Sequence, residues 1–303
     1  MTLLGLGTYR SRDAVTSATI AAAAGCPLID TAPVYGHGTH QAAISPVLRA
    51  HPRMRIATKV GHMTADQARA ALYSRVISEA EALRRHSIAP DYVHYQVAMN
   101  CAEVQRDQLD LVYLHNPEHR HSGDRDALLA RLRSAFVALE DLRDTGTVLG
   151  YGVATWNGFR DGAFSVRELV KLAEEASGGG EAGLRAIQLP VSMVEIGPIR
   201  QALAGDGPIP AAGQAGLEVW GSAPLHGGEL LGRINEGLAD YVAFGATNAQ
   251  AALMVAVSTP GLTGLLLSTG SADHWREAAD VVDSPQLPPL RLKEICDLLQ
   301  PVS

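Results

Sequence analysis

Cysteine is scarce: Cys26, Cys101 and Cys296 are the only three in 303 residues. They are odd in number and far apart, which excludes a disulfide framework or a metal-binding spacing and makes a reducing, cytoplasmic setting the expectation. Long apolar runs are missing as well. Ile20–Ala24 is far too short to cross a bilayer, and Met1–Gly5 has neither the basic flank nor the apolar stretch of a signal peptide. Positive charge is in deficit, with 25 lysines and arginines against 32 aspartates and glutamates. Without basic runs, nucleic acid is not expected as a partner, and neither is a membrane. No G-x-G-x-x-G follows the first apolar segment, which counts against an open doubly wound sheet, the alternative fold.

What is present is an alternation. Short apolar segments at 3–8, 28–31, 54–60, 108–115, 148–154, 186–191, 217–222 and 262–267 read as strands. Helical patterns fill the gaps, at 11–24, 40–50, 64–85, 90–105, 125–145, 164–176, 198–204, 248–258 and 271–282, with one more short helix after Pro285. Near-continuous apolar strands suit a sheet buried on both faces. Eight such units predict a parallel, closed (β/α)8 barrel formed as a single domain over residues 1–303. Active residues of such barrels gather at the carboxyl ends of the strands. Asp30, Lys59, His115 and Gln188 are expected at four of those ends, and Tyr35 on the loop beyond the second strand.

Together these residues suggest proton transfer. A free phenol has a pKa near ~10 and is a sluggish acid at neutral pH. A nearby lysine cation lowers that value, and Asp30 would hold Lys59 in place. His115 would hydrogen-bond or polarise the same substrate oxygen. Such a site gives a proton to a carbonyl oxygen as hydride reaches the carbon. No side chain supplies hydride, so a nicotinamide is implied. Taken singly, Lys59 and Asp30 read equally as a structural ion pair, and His115 as a satisfier of a backbone carbonyl.

The chain resembles the aldo-keto reductases over almost its whole length. The matching stretches are Leu4–Thr8, Ile29–Gly36, Ala57–Lys59, Leu109–Pro117, Gly150–Val153, Gln188–Pro190, Ser222–Leu225 and Ser268–Glu277. The resemblance implies Tyr35 as general acid/base, Lys59 as its activator, Asp30 as the lysine's partner and His115 as the group orienting the carbonyl. It also implies a cofactor site. Gly7, Thr8 and Tyr9 would border nicotinamide and substrate near Asp30, and Thr155 and Gln188 would face the carboxamide. Ser222, Ala223, Pro224, Leu225 and Gly227 would clamp the pyrophosphate. Ser268, Thr269, Gly270 and His274 would hold the adenosine phosphate, and Glu277 would reach the adenine. Tyr9, Tyr35 and His115 are the expected substrate contacts, and no metal is expected.

Some positions depart from the pattern. Ala154-Thr155 stands where many relatives have Ser-Asn, and Ser222 where an aromatic ring often stacks on the nicotinamide. Trp220 is expected in the core. A basic residue common in NADP-preferring relatives is replaced by His274, and histidine is only partly charged near neutrality. NADPH is the expected cofactor, with NADH the alternative. Loops 117–124, 156–163 and 226–245 are expected to form the pocket for a small carbonyl or alcohol substrate. His37, His62, His119, His121 and His226 read as solvated loop residues along its mouth. Among other function classes, a cofactor-sensing or partner-regulating barrel of the potassium-channel-subunit kind stays open. A hydrolase would need a metal cluster or a nucleophile elbow, and neither is present.

Overall fold

The computed structural model describes residues 2–119 and 123–299. Eight strands, β1 (Leu3–Gly7), β2 (Leu28–Asp30), β3 (Arg55–Val60), β4 (Leu111–His115), β5 (Tyr151–Ala154), β6 (Leu184–Pro190), β7 (Glu218–Ser222) and β8 (Gly264–Leu267), pair in parallel and in chain order. β8 returns to β1 and closes the barrel. This is the expected (β/α)8 architecture. The strand interiors alternate between two apolar environments. One set, including Leu6, Ile29, Val112 and Leu265, packs outward against the helices. The other fills the barrel lumen with Leu28, Ala57, Leu111, Tyr113, Ala154, Ala186, Trp220 and Leu266.

The lumen is plugged by two large rings, Trp220 and Tyr113, and both need glycine opposite them. A Cβ on Gly264 would lie 2.3 Å from the Trp220 ring, and one on Gly152 would lie 2.7 Å from Tyr113. Trp220 is fully buried, as expected, and its indole N–H donates to Glu218 at 2.8 Å. These rings fill the lumen beneath the carboxyl ends of the strands.

Element boundaries differ from the sequence reading in instructive places. Gln108 and Leu109 do not open β4; Leu109 makes only an isolated parallel bridge to Val148, so β5 also starts late, at Tyr151. The single helix expected over 64–85 is two helices, Ala65–Tyr73 and Glu79–Arg84. Arg75 takes a left-handed conformation between them, and Ser78 with Glu81 forms a capping box that starts the second. Helices at Pro208–Gln214 and Glu236–Val242 were not expected. The first starts at a proline after Gly207, and the second is capped by Asn235, which accepts from Leu238 N–H at 2.8 Å.

Candidate active site

Strand register brings the candidate residues together. Gly7 of β1 pairs with Asp30 of β2, and Asp30 with Ala57 of β3. Lys59 therefore stands two residues nearer the open end than Asp30's partner, on the same lumen-facing alternation as Ala57. Its Nζ reaches back to Asp30 Oδ1 at 2.6 Å and donates to the Thr31 carbonyl at 2.9 Å. Both side chains of the pair are almost wholly buried. The other Asp30 oxygen accepts from Gln188 Nε2 at 2.9 Å. Asp30 thus ties β2, β3 and β6 together.

Lys59 is held from behind by a polar network between the barrel and its helices. Asn100 donates to the Lys59 carbonyl at 3.0 Å and accepts from Gln41 (3.0 Å) and Gln96 (2.8 Å). Gln41 in turn accepts from the Thr58 hydroxyl. These residues are buried yet paired, as buried polar groups must be. Sequence reading missed the network because its members come from helices His40–Ala50 and Pro90–Val104 and meet only in the folded chain.

Tyr35 starts a 3₁₀ turn, Tyr35–Gly38, directly beyond β2. Its ring lies 5.0 Å from the Lys59 ammonium, 5.1 Å from the Tyr9 ring and edge-on to His115 at 6.0 Å. Burial and the facing charge of Asp30 push its phenol well above the ordinary value. This reverses the expectation that Lys59 lowers it. The physical reason is that the ammonium is already paired with Asp30 and the Thr31 carbonyl, while desolvation penalises a phenolate. Tyr35 is therefore a protonated phenol across neutral pH. Burial also lowers the Lys59 pKa, opposed by Asp30. Burial first, and then the facing Lys59 and three further imidazoles, hold His115 well below the usual histidine range, so it is neutral.

The three further imidazoles form a cluster. His62 lies 4.9 Å from His115, 4.7 Å from His86 and 4.6 Å from His119. Burial and neighbouring rings bring His62 down to about 4 and His86 to about 3. His62 and His119 had been read as solvated loop residues, and both are instead partly buried in this cluster. Their convergence from separate loops carries no local sequence signal. His37 is exposed as expected, His226 accepts or donates at 3.0 Å with Ser192, and His121 lies outside the described residues. Among the described residues no group of three or more His, Cys, Asp or Glu side chains is arranged to hold a metal ion.

A cavity of about 1490 Å³ opens over this machinery. That exceeds the roughly 300–1,000 Å³ of ordinary small-molecule pockets. Gly7, Tyr9, Asp30, Tyr35, His115 and Gln188 lie on its inner wall. Thr155, Ser222, Ala223, Pro224, Leu225 and Gly227 continue it, and Ser268, Thr269, His274 and Glu277 line the far arm. Three expected contacts are not on the wall. Lys59 is beneath it; Thr8 is fully buried, bonding Thr31 at 2.9 Å and the Asp30 carbonyl at 3.2 Å; Gly270 is set back from the lining. Of the loops expected to form the substrate mouth, only Trp156 and the segment from His226 contribute lining residues among those described.

Two lining groups have a donor already engaged. The Thr155 hydroxyl donates to Glu118 Oε1 at 2.5 Å and accepts from Gly158 N–H at 2.7 Å. Gln188 spends an amide N–H on Asp30. Thr155 can therefore offer the cavity only a lone pair, whereas Gln188 keeps its carbonyl oxygen and a second amide N–H. Glu118 also accepts from Asn157 and Gly158 N–H, and so braces the turn after β5. Sequence reading missed it. Across the mouth, Arg10 pairs with Glu229 at 2.8 Å.

Residues 3–240 match the model of the Aldo/keto reductase family. The chain belongs to that family of oxidoreductases. It is also similar to a D-threo-aldose 1-dehydrogenase of Pseudomonas sp., 33% identical over 142 residues. That match covers 44% of this chain, and the chain spans 40% of that relative's length.

Proposed function

We propose that the protein interconverts a carbonyl compound and an alcohol with a nicotinamide cofactor, Tyr35 handling the proton. The observation that carries this is the convergence of Asp30, Lys59 and Tyr35 at a cavity of about 1490 Å³. The cofactor's fit is supported by the donor set on the inner wall. Thr155 and the Gln188 carbonyl oxygen present acceptors, which match the amide N–H groups of a carboxamide.

A reduced nicotinamide held there by Thr155 and Gln188 would supply the hydride that the carbonyl carbon takes up. Tyr35 gives its phenolic proton to the carbonyl oxygen, which becomes the alcohol hydroxyl, and solvent then restores the phenol. Lys59 stabilises the transient phenolate, and Asp30 keeps the ammonium in place. Neutral His115 donates a hydrogen bond to the carbonyl oxygen and orients it. Oxidation of an alcohol runs the same steps backwards and needs Tyr35 ionised first. The raised phenol pKa therefore favours reduction at neutral pH and oxidation at alkaline pH.

The far arm of the cavity refines the expected cofactor. Its described lining from Ser268 to Glu277 has no lysine or arginine, whereas Glu277 contributes a carboxylate, bonded by Thr247 at 2.6 Å. Arg276, a possible alternative cation, pairs with Asp273 at 2.8 Å instead. If that arm takes the adenosine, as the resemblance implies, this segment supplies a 2′-phosphate no fixed cation, which favours NADH over NADPH; the arginines on the cavity lining are Arg10, paired with Glu229, and Arg12, both outside the segment. Fluorescence titration with each tests both points. Saturable binding, tighter for NADH, supports the reading, and no binding of either removes it. Aldoses are among the first substrates to try, given the relative's name.

A further inference from the structure

One imidazole of the cluster, His86, bonds the backbone of the residue that orients the carbonyl. The ladder between β3 and β4 stops one residue short of His115, its last pair being Val60 with Leu114. Gly61 then turns away with φ of +150°. A side chain takes over where the strand ends: His86 Nε2 lies 2.9 Å from the His115 carbonyl oxygen. That oxygen only accepts, so Nε2 is the donor. Burial above all, and the neighbouring imidazoles, keep the His86 ring uncharged near neutral pH. Its single N–H is therefore the one on Nε2.

The local fold holds this ring in place. Helix Glu79–Arg84 ends at Arg85, which is left-handed. Residues 61–63 and 85–87 then run antiparallel as a short ribbon. Ser87 N–H donates to the Gly61 carbonyl at 3.1 Å, Met63 N–H donates to the Arg85 carbonyl at 3.0 Å, and His62 lies opposite His86. The Ser87 hydroxyl donates to Glu81 at 2.7 Å, and the His86 N–H donates to the Glu81 carbonyl at 3.3 Å. A Cβ on Gly61 would lie 2.6 Å from the His115 carbonyl oxygen and 3.0 Å from His86 Nε2, so glycine leaves the space in which the bond forms. His86 is 3% exposed and does not line the cavity.

Deepening the oxidoreductase reading above, on which it rests, we infer that His86 is a positioning residue: its Nε2–H fixes the His115 backbone at the end of β4 and so sets where the His115 imidazole meets the carbonyl oxygen. The opposite edge of the same strand end is already held, since Asn116 N–H donates to the Ala154 carbonyl at 2.7 Å. With both edges bonded, His115 has no slack along the barrel axis. A misplacement of roughly 1 Å in such a group costs on the order of 10²-fold in rate.

The test follows glyceraldehyde reduction with whichever of NADH and NADPH binds tighter. His86→Leu removes the donor, and kcat should fall by roughly 10- to 100-fold. The cofactor Kd, from fluorescence titration, should stay within about twofold because the ring is off the cavity wall. His86→Gln, whose amide nitrogen can stand where Nε2 does, should restore most of kcat. A bond acting through His115 makes the two residues non-additive: His86→Leu should slow a His115→Ala variant no further. One readout is independent of turnover. Long-range ¹H–¹⁵N spectra of histidine-labelled protein, with the His86 signals identified by their loss in His86→Gln, should show the Nε2–H tautomer. An Nδ1–H tautomer, wild-type kcat in His86→Leu, or fully additive losses in the double variant overturn the inference and leave the oxidoreductase reading standing. A wild type that binds neither cofactor and reduces no aldehyde overturns both.

Discussion

The Lys59 ammonium sits 2.6 Å from the Asp30 carboxylate with both side chains almost wholly excluded from solvent. Such a pair roughly offsets its own desolvation but cannot tolerate the loss of one member. Lys59→Met leaves Asp30 buried with Gln188 as its remaining side-chain donor. The expected cost is about 3–5 kcal/mol in urea unfolding, together with loss of turnover. The double variant Lys59→Met, Asp30→Asn should recover most of the stability but none of the activity. Full stability in the single variant would mean that the pair is solvated.

Acid should destabilise the fold through the histidine cluster. His62 and His86 titrate at about 4 and about 3 in the folded protein, below the ~6.5 of an unfolded histidine. The unfolded chain therefore binds more protons, and stability rises with pH across that window. It is complete above about 6.5 and is lost as pH falls toward 4 and then 3. From about pH 7 to about pH 5 the loss is on the order of 2 kcal/mol per histidine, read from urea midpoints. His86→Gln should flatten that slope; an unchanged slope would place the acid sensitivity elsewhere.

Gly36 is a backbone requirement for Tyr35. It has φ of +58°, and a Cβ there would lie 1.9 Å from the His40 ring. Gly36→Ala should cost about 1–2 kcal/mol from the left-handed conformation alone. Displacing His40 moves the turn that carries the phenol, so kcat should fall by more than the melting temperature suggests. A variant with wild-type kcat would show that the turn relaxes without moving Tyr35.

The sequence carried much of this design. Asp30, Lys59 and His115 announce themselves because charged or titratable residues at the ends of apolar strands need partners. The parallel barrel follows from eight apolar segments separated by helical patterns. The rest depends on contacts between distant segments. His62, His86 and His119 come from three different loops, and nothing local marks their meeting. Gln41 and Asn100 lie on different helices, and their pairing is not legible from either pattern alone. The helix break at Arg75 depends on a left-handed residue that is not glycine. The shift of Tyr35 was read with the wrong sign for a related reason. Sequence shows that a lysine is near, but not that its charge is already bound and the phenol desolvated.

The central claim is that Tyr35 delivers the proton. Its most direct test is the turnover of Tyr35→Phe with glyceraldehyde, measured beside a nicotinamide titration of the same sample. The variant should bind the cofactor with a Kd within about twofold of the wild type, since the ring is kept, and lose roughly 10²–10⁴ in kcat with the general acid. Turnover within a few-fold of wild type, with cofactor still bound, would contradict the account and move the proton to His115 or solvent.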